Sequence, residues 1–112
     1  MKWYPFDSGQ SIGQVGSENG NIIRDEEHGY GARITMERDG LTASFAITCG
    51  VFGWMVHTRF FGTESEAQEE FEKMKVELAA IMDTIPLVTD PEVDGKTKAV
   101  SKAISEFVER FP

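Results

Sequence analysis

Three antiparallel strands are predicted by residues 30–61, which read YGARITMERDGLTASFAITCGVFGWMVHTRFF. Apolar and polar residues alternate over 30–36, the pattern of a strand with one buried face. The Asp39-Gly40 pair that follows favours a tight hairpin turn, because a type I′ turn needs positive φ at both central positions. Alternation resumes over 41–49. A third alternating segment follows the next two glycines, so the pattern predicts a meander of three strands.

The third predicted strand has side chains on both faces of the sheet, one packed against the helices and one left open. We expect Trp54, Val56 and Phe60 to face the core. Alternation then places on the opposite face Met55, His57, Arg59 and Phe61. Met55 and Phe61 are unusually apolar for a solvated face, which indicates an oligomer or ligand face. Single apolar residues exposed to water are the alternative interpretation.

The hydrophobic period changes after Gly62. Apolar residues now recur at helical spacing, at Ala67, Phe71, Met74, Leu78, Ile81 and Ile85. This stripe predicts a long acidic helix over 63–85, with Thr63 as N-cap and Pro86 as the stop. A second, C-terminal helix is predicted over 90–111, with Asp90 as its cap. The alternative is a start at Lys96, which would place lysines at the positive end of the helix dipole.

The remaining chain predicts few regular elements. Residues 1–21 form a Gly-rich N-terminal segment, followed by a short edge strand at 22–24 that the acidic residues 25–27 interrupt. We therefore expect one α+β domain over 1–112. It has an antiparallel meander sheet of three or four strands over 22–61, followed by two C-terminal helices packed on one face.

The charge of the chain is strongly acidic and unevenly distributed. Eleven Lys and Arg residues against nineteen Asp and Glu residues give a net charge of −8 at pH 7. This sign disfavours binding to nucleic acid or to an anionic membrane, so we expect neither as a partner. Residues 64–94 hold ten acidic and two basic residues, which accounts for the whole net charge.

Two interpretations of this acidic helix remain open. It is either a solvated helix face or a docking surface for a basic protein partner. The partner-binding residues predicted on the second interpretation are Glu66, Glu69, Glu70, Glu72 and Val76. Val76 and Ala80 form a small apolar strip behind the buried stripe. That strip either receives the second helix or forms the apolar centre of the partner site.

No cofactor, metal or catalytic residue is predicted. The glycines match neither a dinucleotide-binding nor a phosphate-loop spacing, and His28 has no second ligand at zinc-site spacing. Cys49 and His57 fall on opposite faces by the predicted parity, which argues against a nucleophile–base pair. A lone cysteine and the lack of a long apolar run predict a cytoplasmic protein.

The function favoured by these observations is a non-enzymatic, small acidic intracellular domain that binds other proteins, as an adaptor or inhibitor does. One alternative is a small anionic-ligand binder or an enzyme with its site near His57 and Arg59, because arginine binds anions in a bidentate manner. The other is a structural subunit, a homodimer that forms through the open sheet face.

Overall fold

The computed structural model describes residues 3–29, 31–86 and 89–112. Within these residues, a single sheet holds five strands in the order β1-β2-β3-β4-β5, and every neighbouring pair is antiparallel. The elements are β1 (Trp3–Pro5), a short 3₁₀ turn (Phe6–Gly9), β2 (Asn21–His28), β3 (Ala32–Arg38), β4 (Phe45–Val51), β5 (Met55–Phe61), α1 (Glu64–Met82) and α2 (Val93–Arg110). The predicted α+β class and the two C-terminal helices are confirmed, whereas three or four strands was too low a count.

The hydrophobic core lies between one face of the sheet and the two helices. Its strand residues follow the predicted alternation on β3 and β4, as Ala32, Ile34, Met36, Ile47, Cys49 and Val51. Its helix residues include the predicted stripe of α1, with Phe71, Met74 and Leu78 fully buried. The apolar residues that recur with a period of two in the strands and with a period near 3.6 in α1 therefore pack into the same core.

The helix ends depend on local hydrogen bonds. Thr63 caps α1, since its hydroxyl accepts a bond of 3.3 Å from the Glu66 backbone N–H. α1 ends at Met82 and not at residue 85, and the Thr84 hydroxyl then donates to a carbonyl of the last turn at 2.7 Å. α2 begins later than predicted, at Val93. Tyr30, which the alternating pattern placed at the start of the first strand, lies outside the described residues.

The predicted orientation of β5 is wrong. A three-residue loop at 52–54 joins β4 to β5, and the register pairs Val51 directly with Met55. Directly paired residues share a face of the sheet, so Met55 faces the core as Val51 does. The helix-covered face of β5 therefore holds Met55, His57, Arg59 and Phe61, whereas Val56 and Phe60 face the open side. A shift of one residue in the turn reverses every side chain of a strand.

The turn between β3 and β4 also differs from the prediction. Residues 39–44 form a six-residue loop in place of a two-residue turn, and the predicted strand residue Leu41 lies in it. The loop packs against the N-terminal segment. The Leu41 N–H donates to the carbonyl of Glu18 at 3.2 Å, and a Cβ on Gly40 would lie 2.8 Å from that oxygen. This tertiary contact outweighs the local preference for a tight turn.

β2 is longer and more central than the predicted edge strand at 22–24. It runs from Asn21 to His28, between β1 and β3, and continues through the acidic residues 25–27. Basic side chains neutralise Asp25 and Glu26, so the acidic run does not end the strand. Among the described residues, neither helix combines the length and the apolar character needed to cross a membrane.

Candidate functional site

The open face of the sheet is partly covered by the N-terminal segment that follows β1. Phe6 stacks on the guanidinium of Arg33, with the Arg33 Cζ 3.5 Å from the ring centroid. Further along, the Gly16 N–H donates to the carbonyl of Gly20 at 2.9 Å, which folds the segment into a compact loop. This covering layer stops before β5. Val56 remains 79% exposed on the open face.

Glu37 fastens the N-terminal segment to this face. Its side chain is buried, and its Oε1 accepts hydrogen bonds from the backbone N–H of Glu18 at 3.1 Å and of Gly20 at 3.0 Å. Ser17 adds a longer contact of 3.5 Å from its hydroxyl. A buried carboxylate held by backbone donors is a structural anchor, because these donors satisfy it without any ligand.

Asp25 and Arg33 form a second anchor on the same face. The Arg33 guanidinium donates to both carboxylate oxygens of Asp25, at 2.9 and 2.6 Å, and the Thr35 hydroxyl donates at 3.0 Å. The hydrogen bond to Asp25 raises the pKa of Arg33 above its ordinary value, even though partial burial opposes this. Arg33 is therefore engaged by Asp25 and Phe6 within the chain.

Two concavities flank these anchors. One has a volume of about 410 Å³ and lies under the N-terminal segment, next to Ser11, Thr35 and Thr48. The Ser11 hydroxyl is buried there and has no hydrogen-bond partner among the described residues. The other has a volume of about 860 Å³ at the end of the β4–β5 hairpin, where Phe52 and Val56 form part of its wall. Both volumes fall in the range of small-molecule sites.

An ion-pair network fills the gap between α1 and β2 on the helix side. Glu72 of α1 binds Arg24 at 2.7 Å. Lys75, which is buried, binds Glu26 at 2.6 Å. Arg24 completes the network through a bond of 2.8 Å to Glu26 and lies 4.0 Å above the ring of Phe71. The predicted partner-binding residue Glu72 thus serves partly to join α1 to the sheet.

A second network ties β5 to the C-terminus. Arg59 donates to Glu70 at 3.0 Å and to the Pro112 carbonyl at 3.1 Å. His57 Nε2 lies 2.5 Å from the Phe111 carbonyl, and it must donate because that oxygen can only accept. Burial raises the pKa of Glu70, but Arg59 together with Lys73 outweighs it and holds the pKa below its ordinary value. The two residues of the predicted anionic-ligand site therefore bind groups of the chain itself.

Cys49 and His57 are direct cross-strand partners on one face, so their predicted placement on opposite faces is wrong. The chemistry of a nucleophile–base pair is nevertheless unfavourable there. Burial raises the pKa of the Cys49 thiol to about 12, well beyond the lowering that Arg59 exerts. The thiolate is the reactive form, so Cys49 is a core residue of low reactivity.

The outer face of α1 keeps part of the predicted acidic surface free. Glu66 is exposed, whereas Glu69 is exposed but pairs with Lys73 at 3.2 Å. Val76, which lies further along α1 than these two glutamates, is 57% exposed. Glu70, by contrast, is engaged by Arg59, so the five predicted residues do not form one uniform surface.

No group of three or more side chains suited to holding a metal ion occurs within 3–29, 31–86 and 89–112. Comparisons with family models, with curated proteins and with solved structures find no match to this chain.

Sequence reasoning did not identify Asp25 or Glu37 as buried anchors. The alternation of β3 placed Glu37 on the open face, where a carboxylate is ordinarily solvated. The sequence feature that could have indicated the buried role of Glu37 is the glycine pair at 16 and 20, because both glycines lie against Glu37 or its neighbouring backbone. Val56 was missed as a surface residue because the strand parity was reversed.

Proposed function

We propose that this protein is a non-enzymatic protein-interaction domain that binds a basic protein partner through the outer face of α1. The exposure of Val76 carries this proposal. The sequence left two interpretations of the apolar strip of Val76 and Ala80. Either the second helix packs on this strip, or the strip is the centre of a partner site. α2 instead buries its own apolar residues Val100, Ile104 and Phe107 in the core and leaves Val76 57% exposed.

Charge supports the choice of a basic partner. The acidic residues of 64–94 carry the whole net charge, and the side chains of Glu66 and Glu69 are exposed. Facing charges of opposite sign speed association, while a central apolar contact supplies affinity. A non-enzymatic role is favoured because Glu37, His57 and Arg59 each bind groups of the chain itself. A reducing compartment such as the cytoplasm suits a chain with one cysteine.

The test uses two variants with the same change in net charge. Glu66→Lys/Glu69→Lys reverses the proposed surface, and Glu106→Lys/Glu109→Lys reverses two exposed acidic residues of α2. We expect wild type and the α2 variant to capture the same basic protein from a host extract at low salt, and the α1 variant to lose it. Equal capture by the α1 variant would mean that α1 presents only a solvated face.

Val76→Ser separates affinity from electrostatic steering. The purified partner should dissociate faster from this variant while the salt dependence of its association stays that of wild type. The α1 charge reversal should instead slow association and flatten its salt dependence. Unchanged dissociation from Val76→Ser would remove Val76 from the interface.

A further inference from the structure

The outer side of β5 is an unpaired sheet edge. β5 pairs only with β4, and within the described residues no backbone hydrogen bond from outside the sheet reaches 55–61. Natural proteins protect such edges with proline, lysine, a bulge, an inward-pointing charge or a very short strand. Of these devices β5 has the inward-pointing Arg59, whose charge is paired with Glu70. β1, the opposite edge, has only three residues and ends at Pro5. β5 has seven residues, MVHTRFF, in continuous register with β4.

The open face of β5 is apolar where it meets this edge. Val56 is 79% exposed and Phe60 is 44% exposed, with Thr58 between them. Thr58 shares a hydrogen bond of 3.1 Å with Thr48 of β4, so its side chain is satisfied within the sheet. Phe52, at the tip of the adjoining hairpin, is 90% exposed. These side chains form an apolar band that the N-terminal segment does not cover.

We propose that a second copy of this chain adds to the sheet through β5. The two β5 strands run antiparallel about a two-fold axis at Thr58 and join the two five-stranded sheets into one. This register places Val56 opposite Phe60 of the partner subunit, and the symmetry repeats that contact. Pairs of β-branched and aromatic residues stabilise neighbouring antiparallel strands.

The sequence of β5 fits a copy of itself better in this register than in adjacent ones. An axis at Arg59 would set two guanidinium groups directly opposite each other, which is unfavourable. An axis at His57 would set Val56 opposite a threonine and lose the apolar pairs. Only the axis at Thr58 brings both exposed apolar residues of β5 together across the interface.

The distribution of charge also allows self-association at this edge. Each copy carries a net charge of −8, but the excess lies in residues 64–94. Arg59, the one Arg, Lys, Asp or Glu residue of β5, is paired with Glu70 at 3.0 Å. Like charges on the two copies therefore oppose pairing less at β5 than they would at the outer face of α1.

The first experiment measures the mass of the protein in solution over a concentration series. Wild type is expected to form a dimer, and Val56→Lys/Phe60→Lys should raise the dissociation constant at least about tenfold, because facing lysines replace two apolar pairs. Tyr4→Lys is the single-site control, since Tyr4 is exposed on the same face at the opposite edge of the sheet. It should dimerise as wild type does. Circular dichroism of each variant verifies the fold.

The second experiment tests the register by exchange of charge. Val56→Glu/Phe60→Glu should not dimerise alone, but mixed with Val56→Lys/Phe60→Lys it should form a heterodimer, because position 56 faces position 60 in both directions.

Salt should strengthen the wild-type dimer by screening the acidic charge, whereas it weakens binding of a basic partner at α1. A monomeric wild type at about 100 µM, or an unchanged dissociation constant for Val56→Lys/Phe60→Lys, would overturn the proposal. A wild-type dimer whose charged variants fail to pair would overturn the register.

Discussion

Gly16 lies against the carboxylate of Glu37 so closely that a Cβ built on Gly16 would stand 2.3 Å from the Glu37 Cδ atom. No real Cβ approaches a carbon at that distance, so a side chain at position 16 must displace the carboxylate. The carboxylate in turn accepts the backbone N–H groups of Glu18 and Gly20. A glycine in a loop and a glutamate in a strand thus fix the N-terminal segment to the sheet.

Gly16→Ala should lower the free energy of unfolding by about 1–3 kcal/mol, the usual range for overpacking a buried contact. Urea unfolding measures the change, and Gly29→Ala is the control, because no atom of the described residues, apart from the chain neighbours, lies within 4 Å of a Cβ there. In a Glu37→Ala background the cost of Gly16→Ala should largely disappear, since the clashing carboxylate is gone. An unchanged cost in that background would show that the strain at Gly16 has another source.

Glu70→Gln should remove part of the pH dependence of stability. The pKa of Glu70 lies below its ordinary value of 4.5, so the charged carboxylate stabilises the fold above that value. This contribution is lost as the pH falls through the lower pKa of the folded state. Wild type should therefore exceed Glu70→Gln in free energy of unfolding at neutral pH, and the gap should narrow in acid. Parallel curves would mean that the Arg59 pair does not stabilise the fold.

Much of the fold was predictable because its determinants are local. The stripe of α1 and the alternation of β3 depend on residues close together in the chain, so a pattern of period 3.6 or 2 reveals which side is buried. The face of β5 was not predictable in this way. It depends on whether the loop after Val51 has three residues or another number, and that count sets the side to which Met55 points.

The candidate surfaces show the same division between local and distant determinants. The exposed position of Glu66 and Glu69 on α1 follows from helical geometry and could be derived from sequence. The hydrogen bond from Arg59 to Glu70 could not be derived from sequence. The two residues are eleven positions apart, and the predicted orientation of β5 placed Arg59 on the opposite face of the sheet. The buried role of Asp25 likewise depends on Arg33 of the neighbouring strand and on the N-terminal segment that covers both.

Cys49 should resist thiol reagents in the folded protein. Burial raises the pKa of its thiol to about 12, so almost no thiolate is present at about pH 8. Mass spectrometry after treatment with iodoacetamide should find the native chain unlabelled and the urea-unfolded chain fully labelled. Rapid labelling of the native protein would show that the face between β4 and the helices opens readily.

Gly95→Ala should stabilise the protein. Gly95 lies in the first turns of α2 with open space around it, and its φ is not positive, so alanine fits without a clash. Alanine at an exposed helical position is more favourable than glycine by about 0.5–1 kcal/mol. Urea unfolding should show a higher midpoint with an unchanged slope. A lower midpoint would show that α2 is not helical at this position in solution.

Phe60→Ala and Phe61→Ala distinguish the two orientations of β5. Phe61 is buried in the core, whereas Phe60 is 44% exposed on the open face. Phe61→Ala should therefore lower the free energy of unfolding by about 3–5 kcal/mol, because it removes a large side chain and leaves a cavity. Phe60→Ala should cost about 1 kcal/mol or less in the monomer, as for most surface substitutions.

The measurement is made by urea unfolding at a protein concentration low enough to keep the chain monomeric, so that any loss of β5 pairing does not contribute. A larger cost for Phe60→Ala than for Phe61→Ala would restore the orientation expected from alternation alone, and it would remove Val56 and Phe60 from the proposed dimer interface.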